Sequence, residues 1–120
     1  MVKVAGVSRY FAFRQRLIEN KTFLVDFAKA RTEQAREKLV KSASPSQLLV
    51  LKDLVLNIAE KNIEIDKHLF QYLQKKKKVK DLTHLISRIK RSPEVPEKKL
   101  RLLLFKFNSV LPCMIKSVLQ

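Results

Sequence analysis

The stretch "SPSQLLVLKDLVLNIAEKN", Ser44 to Asn62, constrains the fold more than any other part of the chain. Ser44 at the N-cap, Pro45 at the first helical position and Gln47 three residues after the serine make a capping box. In it, each side chain satisfies a backbone N–H that the helix start would otherwise leave bare. Leu48, Leu51, Val55, Ile58 and Ala59 line one face of the resulting helix, while Leu49, Val50, Leu54 and Leu56 carry apolar character round most of its circumference. A helix that is apolar on nearly every side has to be contacted on several of them, so this one is expected at the centre. Asn62 is placed to close it in the left-handed C′ conformation, with Ile63 and Ile65 tucking back against it.

Around that centre the periodicity is helical throughout, and no convincing strand or internal repeat is visible. Ser8 can cap a first helix in which Tyr10, Phe13 and Leu17 recur at helical spacing, and Asn20 ends it. Thr22 can cap a second, with Leu24, Ala28, Ala35 and Leu39 on one face and Arg31, Glu33, Arg36, Glu37 and Lys38 in solvent. A single helix from Ser8 to Lys41 is the alternative. Asp66 is an N-cap for "KHLFQYLQ". Past the linker "KRSPEVPEKK", Leu100, Leu103, Leu104, Phe107 and Leu111 repeat at helical spacing until Pro112 ends or kinks the helix.

The run "LQKKKKVKDL" sits where two apolar faces disagree. At about 100° per residue, Leu69, Phe70, Tyr72 and Leu73 centre near 20°, and Val79, Leu82, Leu85, Ile86 and Ile89 near 220°. One straight helix cannot bury both. Four consecutive lysines also sweep about 300° of circumference, which would push an ammonium into the core. A break or sharp kink between about Lys75 and Lys78 resolves both conflicts.

These elements add up to an all-α fold, a compact bundle of about five short helices in one domain spanning residues 1–120. A chain of 120 residues buries roughly 65% of its unfolded surface, enough for one modest core. The single glycine, Gly6, excludes the Gly-rich phosphate-cradling loops, whose tight turns need several. Lone Cys113 has no disulfide partner within the chain and suits a reducing intracellular or nuclear setting. The amino terminus carries no apolar h-region with a cleavage site, and no run of 18 apolar residues is present.

The formal charge of +15 predicts attraction to polyanions. Residues 1–43 hold ten basic and four acidic groups, residues 44–74 three and four, and residues 75–106 twelve and three. A near-neutral centre thus lies between two basic segments. In the second, Lys75, Lys76, Lys77, Lys78, Lys80, Arg88, Lys90, Arg91, Lys98, Lys99 and Arg101 are the candidate nucleic-acid contacts. Lysine dominates and tryptophan is absent, which favours neutralising phosphates over reading or stacking bases. RNA and DNA phosphates attract lysine alike.

Competing chemistry is weakly supported. His68 and His84 lack the spacing or cysteine neighbours of a metal site, Asp81 and His84 have no nucleophile motif beside them, and Cys113 reads as packing. No catalytic residue, metal or cofactor is expected. The tail leaves three readings open. Leu103, Leu104, Phe107, Leu111 and Ile115 form a stripe that can pack in the core, dock on a partner protein or lie on an anionic membrane. Lys106, Asn108 and Lys116 argue against a spanning helix.

The order of "REKLVKSASPSQLLVLKDLVLNIAEKNIEI", the lysine cluster and "PEKKLRLLLFKFNSVLPCMIKSVL", over residues 36–119, resembles the small basic proteins of Polinton/Maverick elements and adintoviruses, which are likened to the adenovirus core protein X. Ser44, Pro45, Gln47, Leu48, Leu56, Asn57, Ile58, Asn62 and Ile63 match the structural positions, and Lys75 to Lys78, Lys98 and Lys99 the basic clusters. The Gly-Gly usual before the tail is replaced by "FKFNS", and Pro93, Glu94, Pro96 and Glu97 interrupt the Lys-rich stretch. The resemblance implies a non-enzymatic virion protein bound to packaged double-stranded DNA, found in the particle interior and the host nucleus.

Overall fold

In the computed structural model, which describes the backbone of residues 2–119 and the side chains of residues 9–119, the capping box is complete. The Gln47 N–H donates to Ser44 Oγ at 3.1 Å, and the Ser44 N–H donates to Gln47 Oε1 at 2.8 Å. The helices run α1 (Val2–Glu19), α2 (Lys21–Lys29), α3 (Glu33–Ser42), α4 (Pro45–Ala59), α5 (Lys67–Lys75), α6 (Val79–Arg91), α7 (Glu97–Lys106), a 3-10 turn (Asn108–Val110) and α8 (Leu111–Leu119). The described residues contain no strand, so the all-α expectation holds, with eight α-helices where about five were expected. The radius of gyration of 13.3 Å is that of a compact chain of this length, about 13.6 Å.

The extra helices come from breaks that apolar spacing does not report. Between α2 and α3 the chain turns extended at Ala30, and Thr32 restarts it by accepting the Ala35 N–H on Oγ1 at 3.1 Å. A local cap therefore divides the apolar repeat expected to run as one helix from Thr22 to Leu39. Asn20, not Thr22, holds the N-cap position of α2. It turns its side-chain amide back to the Arg16 carbonyl at 2.9 Å. Helix α1 begins at Val2, so Ser8 lies inside it and does not open it; the Ser8 side chain lies outside the described ones.

α4 is the central element, with α1, α6, α7 and α8 packed around it. Leu48, Val50, Leu51, Leu54, Val55 and Leu56 are buried on it. Its end corrects the sequence reading in one respect. Lys61, not Asn62, takes the left-handed position, at φ 63°. The Asn62 N–H then donates to the Asn57 carbonyl at 2.9 Å and the Lys61 N–H to the Ile58 carbonyl at 3.1 Å, the double closure of a Schellman turn. Ile63 is buried after it and Ile65 packs on the core.

The buried side chains form one cluster that draws on every helix. The tail is part of it. Leu104, Leu111 and Ile115 have no exposed surface, Phe107 is 5% exposed and Leu103 is half-buried against the cluster. Of the three readings open for this stripe, packing in the core is the one the structure shows, and these five side chains are not set out as an exposed partner or membrane face. α7 and the turn-plus-α8 segment bend by 69°, which lets α8 reach back onto α2, α4 and α5. Pro112 causes no break within α8 because it sits in the first turn, where its missing N–H has no intrahelical partner to lose. Among the described residues no single helix is long and apolar enough to cross a membrane.

Among the described residues three polar side chains are buried, Asp53, Asn57 and Asn108, and each is satisfied. Arg16 forms an ion pair with Asp53. Asn57 donates to the Asp53 carbonyl at 2.8 Å and accepts from Asn62 at 2.9 Å. Asn108 accepts from Arg36 Nε at 2.7 Å and donates to the Phe105 carbonyl at 2.8 Å. Periodicity gave no sign of the Asp53 pair, because a lone aspartate on an apolar helix does not name its partner.

Candidate nucleic-acid interface

The lysine run breaks the helix as the disagreement of apolar faces requires. α5 ends with Lys77 in the left-handed region, φ 58°. Its N–H donates to the Gln74 carbonyl at 3.1 Å, and the Lys78 N–H donates to the Leu73 carbonyl at 2.8 Å. This is a second Schellman turn, again with lysine where glycine is usual. A Cβ in this conformation costs about 1 kcal/mol. The turn lets Leu73 of α5 and Leu82, Leu85 and Ile89 of α6 all be buried. Tyr72, counted with the apolar face of α5, is instead 52% exposed.

The same geometry puts the ammonium groups in solvent. Lys75, Lys76 and Lys77 are exposed and Lys78 is half-exposed. Lys78 reaches Asp81 at 3.8 Å, a long and exposed contact of little energetic weight. Lys76 Nζ lies over the Tyr72 ring, 5.8 Å from its centroid. On α6, Lys80, Arg88, Lys90 and Arg91 are all exposed, and from Lys80 to Arg91 the helix rises about 16 Å. At the end of α7, Lys106 Nζ stands 5.4 Å from the Phe107 centroid while His84 of α6 meets the same ring edge-on at 6.4 Å. Lys106, which was not among the expected contacts, is exposed beside that ring.

The other expected contacts divide. Lys98 and Lys99 are exposed in the first turn of α7, about 12 Å along the helix from Lys106. Arg101 is half-buried and engaged with the fold. Its Nη1 donates to the carbonyls of Val40, Lys41 and Ala43 at 2.8, 3.0 and 2.9 Å, and its Nη2 reaches Glu97 at 3.4 Å. It satisfies the bare carboxyl end of α3, where a cation is electrostatically favoured. In the fold it clamps that helix end, a role that the sequence reading, which named it only as a nucleic-acid contact, did not foresee.

A second basic region escaped the sequence reading. Lys29, Arg31, Arg36 and Lys116 line a cleft of about 700 Å3 together with Tyr72 and Ser109. These residues belong to α2, the α2–α3 connection, α3, α5, the 3-10 turn and α8. Nothing in the sequence joins residue 116 to residues 29–36.

Among the described residues no cluster of three or more histidine, cysteine or acidic side chains is arranged to hold a metal ion. Cys113 is buried, and burial pushes its thiol above the ordinary 9.0, opposed in part by the Lys116 charge. No protein-family model matches the chain, and neither does any curated protein or solved structure.

Proposed function

We propose that this protein binds nucleic-acid phosphates without sequence specificity, double-stranded DNA above all, and that it is a structural component rather than an enzyme. The observation that carries this reading is the α5–α6 corner. There Lys75, Lys76, Lys77, Lys78, Lys80, Arg88, Lys90 and Arg91 are solvent-facing, and only Lys78 meets a carboxylate among the described residues. Uncompensated charge of that density is tolerated best when a polyanion supplies the counter-charge. The resemblance to the basic proteins of Polinton/Maverick elements and adintoviruses supports the same reading and suggests a virion core as its setting. Burial of the apolar tail favours this reading over docking on a partner or a membrane through Leu104, Phe107, Leu111 and Ile115.

A salt titration on double-stranded DNA, RNA and anionic liposomes tests it. Engagement of six to eight phosphates gives a slope of log K against log salt of about −5 to −7 on the duplex. Affinity independent of salt would contradict phosphate neutralisation. Stronger retention by liposomes than by either nucleic acid would move the protein to the membrane.

A further inference from the structure

The cleft beside α3 differs from the α5–α6 corner in being concave and in holding one arginine fixed in place. Arg36 Nε is tied to Asn108 Oδ1 at 2.7 Å, and Asn108 is itself buried and anchored to the Phe105 carbonyl. A longer contact of 3.5 Å joins Arg36 Nη1 to the Ala30 carbonyl. Both partners are neutral oxygens. Of the five N–H donors on a guanidinium two are thus engaged, and the plane is set in advance without a carboxylate to neutralise it. Lys29, Arg31 and Lys116 complete the cationic wall, Ser109 adds a hydroxyl, and no acidic residue lines the cleft. Lys29, Arg31 and Lys116 are exposed and have no ion pair among the described residues.

Tyr72 gives the cleft an aromatic edge. Its ring is half exposed and also borders a shallow groove along α5 lined by Gln71 and Lys75, so it stands between the cleft and the lysine run. Lys76 covers one face of the ring, and a ring has two. A preset guanidinium with flanking ammoniums suits a phosphate's oxygens, and an exposed tyrosine suits the base attached to it.

We infer that the cleft is a second anion site, separate from the α5–α6 corner, that takes a nucleoside phosphate with its phosphate against Arg36, Lys29 and Lys116 and its base on Tyr72. The group is either a free nucleotide or the phosphorylated end of a single strand. The site goes beyond duplex neutralisation, and it stands or falls without it.

The test titrates the full chain, observed by amide chemical shifts, with inorganic phosphate, deoxyadenosine monophosphate, and a thymidine hexamer with and without a 5′ phosphate. The amides of Lys29, Arg31, Ser109 and Lys116 respond to all the phosphate-bearing probes. The double variant Lys29→Gln/Lys116→Gln, which removes no side-chain hydrogen bond or ion pair among the described residues, weakens deoxyadenosine monophosphate binding at least about tenfold. Tyr72→Leu weakens the nucleotide and leaves inorganic phosphate unchanged. Replacing Lys75 to Lys78 by glutamine leaves both probes unchanged, which separates this site from the corner. Binding of the phosphorylated hexamer in preference to free nucleotide assigns strand ends, and the reverse assigns nucleotides; either supports the site. Shifts confined to residues 75–78, or nucleotide binding insensitive to Lys29→Gln/Lys116→Gln, would overturn it. Equal nucleotide affinity in Tyr72→Leu would remove the base from the assignment.

Discussion

The carboxyl end of α3 and the α5–α6 corner are both places where a helix stops among basic residues, and the two use their cations differently. At α3 a single guanidinium, Arg101, is drawn onto three backbone carbonyls within 3.0 Å. At the corner, the backbone closes itself through the Schellman turn at Lys77, so the four lysine side chains are not needed for the stop. Arg16 on Asp53 follows the α3 pattern, and Arg36 on Asn108 follows it with part of its guanidinium only, the remaining N–H donors being left open. Positive charge that satisfies a buried or bare acceptor holds the fold together. Charge that the backbone has left idle is free for a ligand.

Substitutions that remove a fold-holding cation are expected to have the largest effect. Arg16→Ala leaves Asp53, only 6% exposed, without a counter-charge and costs about 3 kcal/mol, measured by chemical denaturation. Replacing both partners with leucine recovers much of that loss, because no orphaned charge remains. Arg101→Ala should cost about 2 kcal/mol through the lost charge-assisted hydrogen bonds, while the salt slope of DNA binding stays as in the wild type. Its neighbour Lys99→Ala should show the converse, with stability within about 0.5 kcal/mol and a slope shallower by about 1.

Smaller effects sharpen the same contrast. Lys77→Gly should stabilise by about 0.5 kcal/mol, since removing the Cβ clash outweighs the added freedom of the unfolded chain. The gain should appear as a higher denaturation midpoint with an unchanged m-value. For Cys113 the folded chain holds its proton to higher pH than the unfolded chain, so its contribution to stability is complete below 9.0 and is lost as pH rises from there through the folded value. Denaturation series across that range in wild type and Cys113→Ala should differ in slope accordingly.

The sequence carried the fold well wherever a local rule sets it. Ser44, Pro45 and Gln47 specify the start of α4 by side-chain chemistry alone, and the angular disagreement across residues 75–78 required the break that forms there. Thr32 is a local cap too, but the apolar repeat through Ala28, Ala35 and Leu39 survives the interruption and masks it. The roles of Arg101 and Arg36 were not legible, because their partners lie 58 to 61 and 72 residues away in the chain. The tail shows a further limit. A helical stripe such as Leu104, Phe107 and Leu111 declares that one face will be covered without saying by what. The 69° bend before α8 turns that face inward.

The separation between holding and idle charge is tested most directly by the combined variant Lys75→Gln, Lys76→Gln, Lys77→Gln and Lys78→Gln, compared with the wild type in one salt titration on double-stranded DNA. Stability should stay within about 0.5 kcal/mol, while the slope of log K against log salt becomes shallower by about 3 to 4. A variant that keeps the wild-type slope, or that unfolds, would contradict the assignment of these four lysines as idle charge open to phosphate.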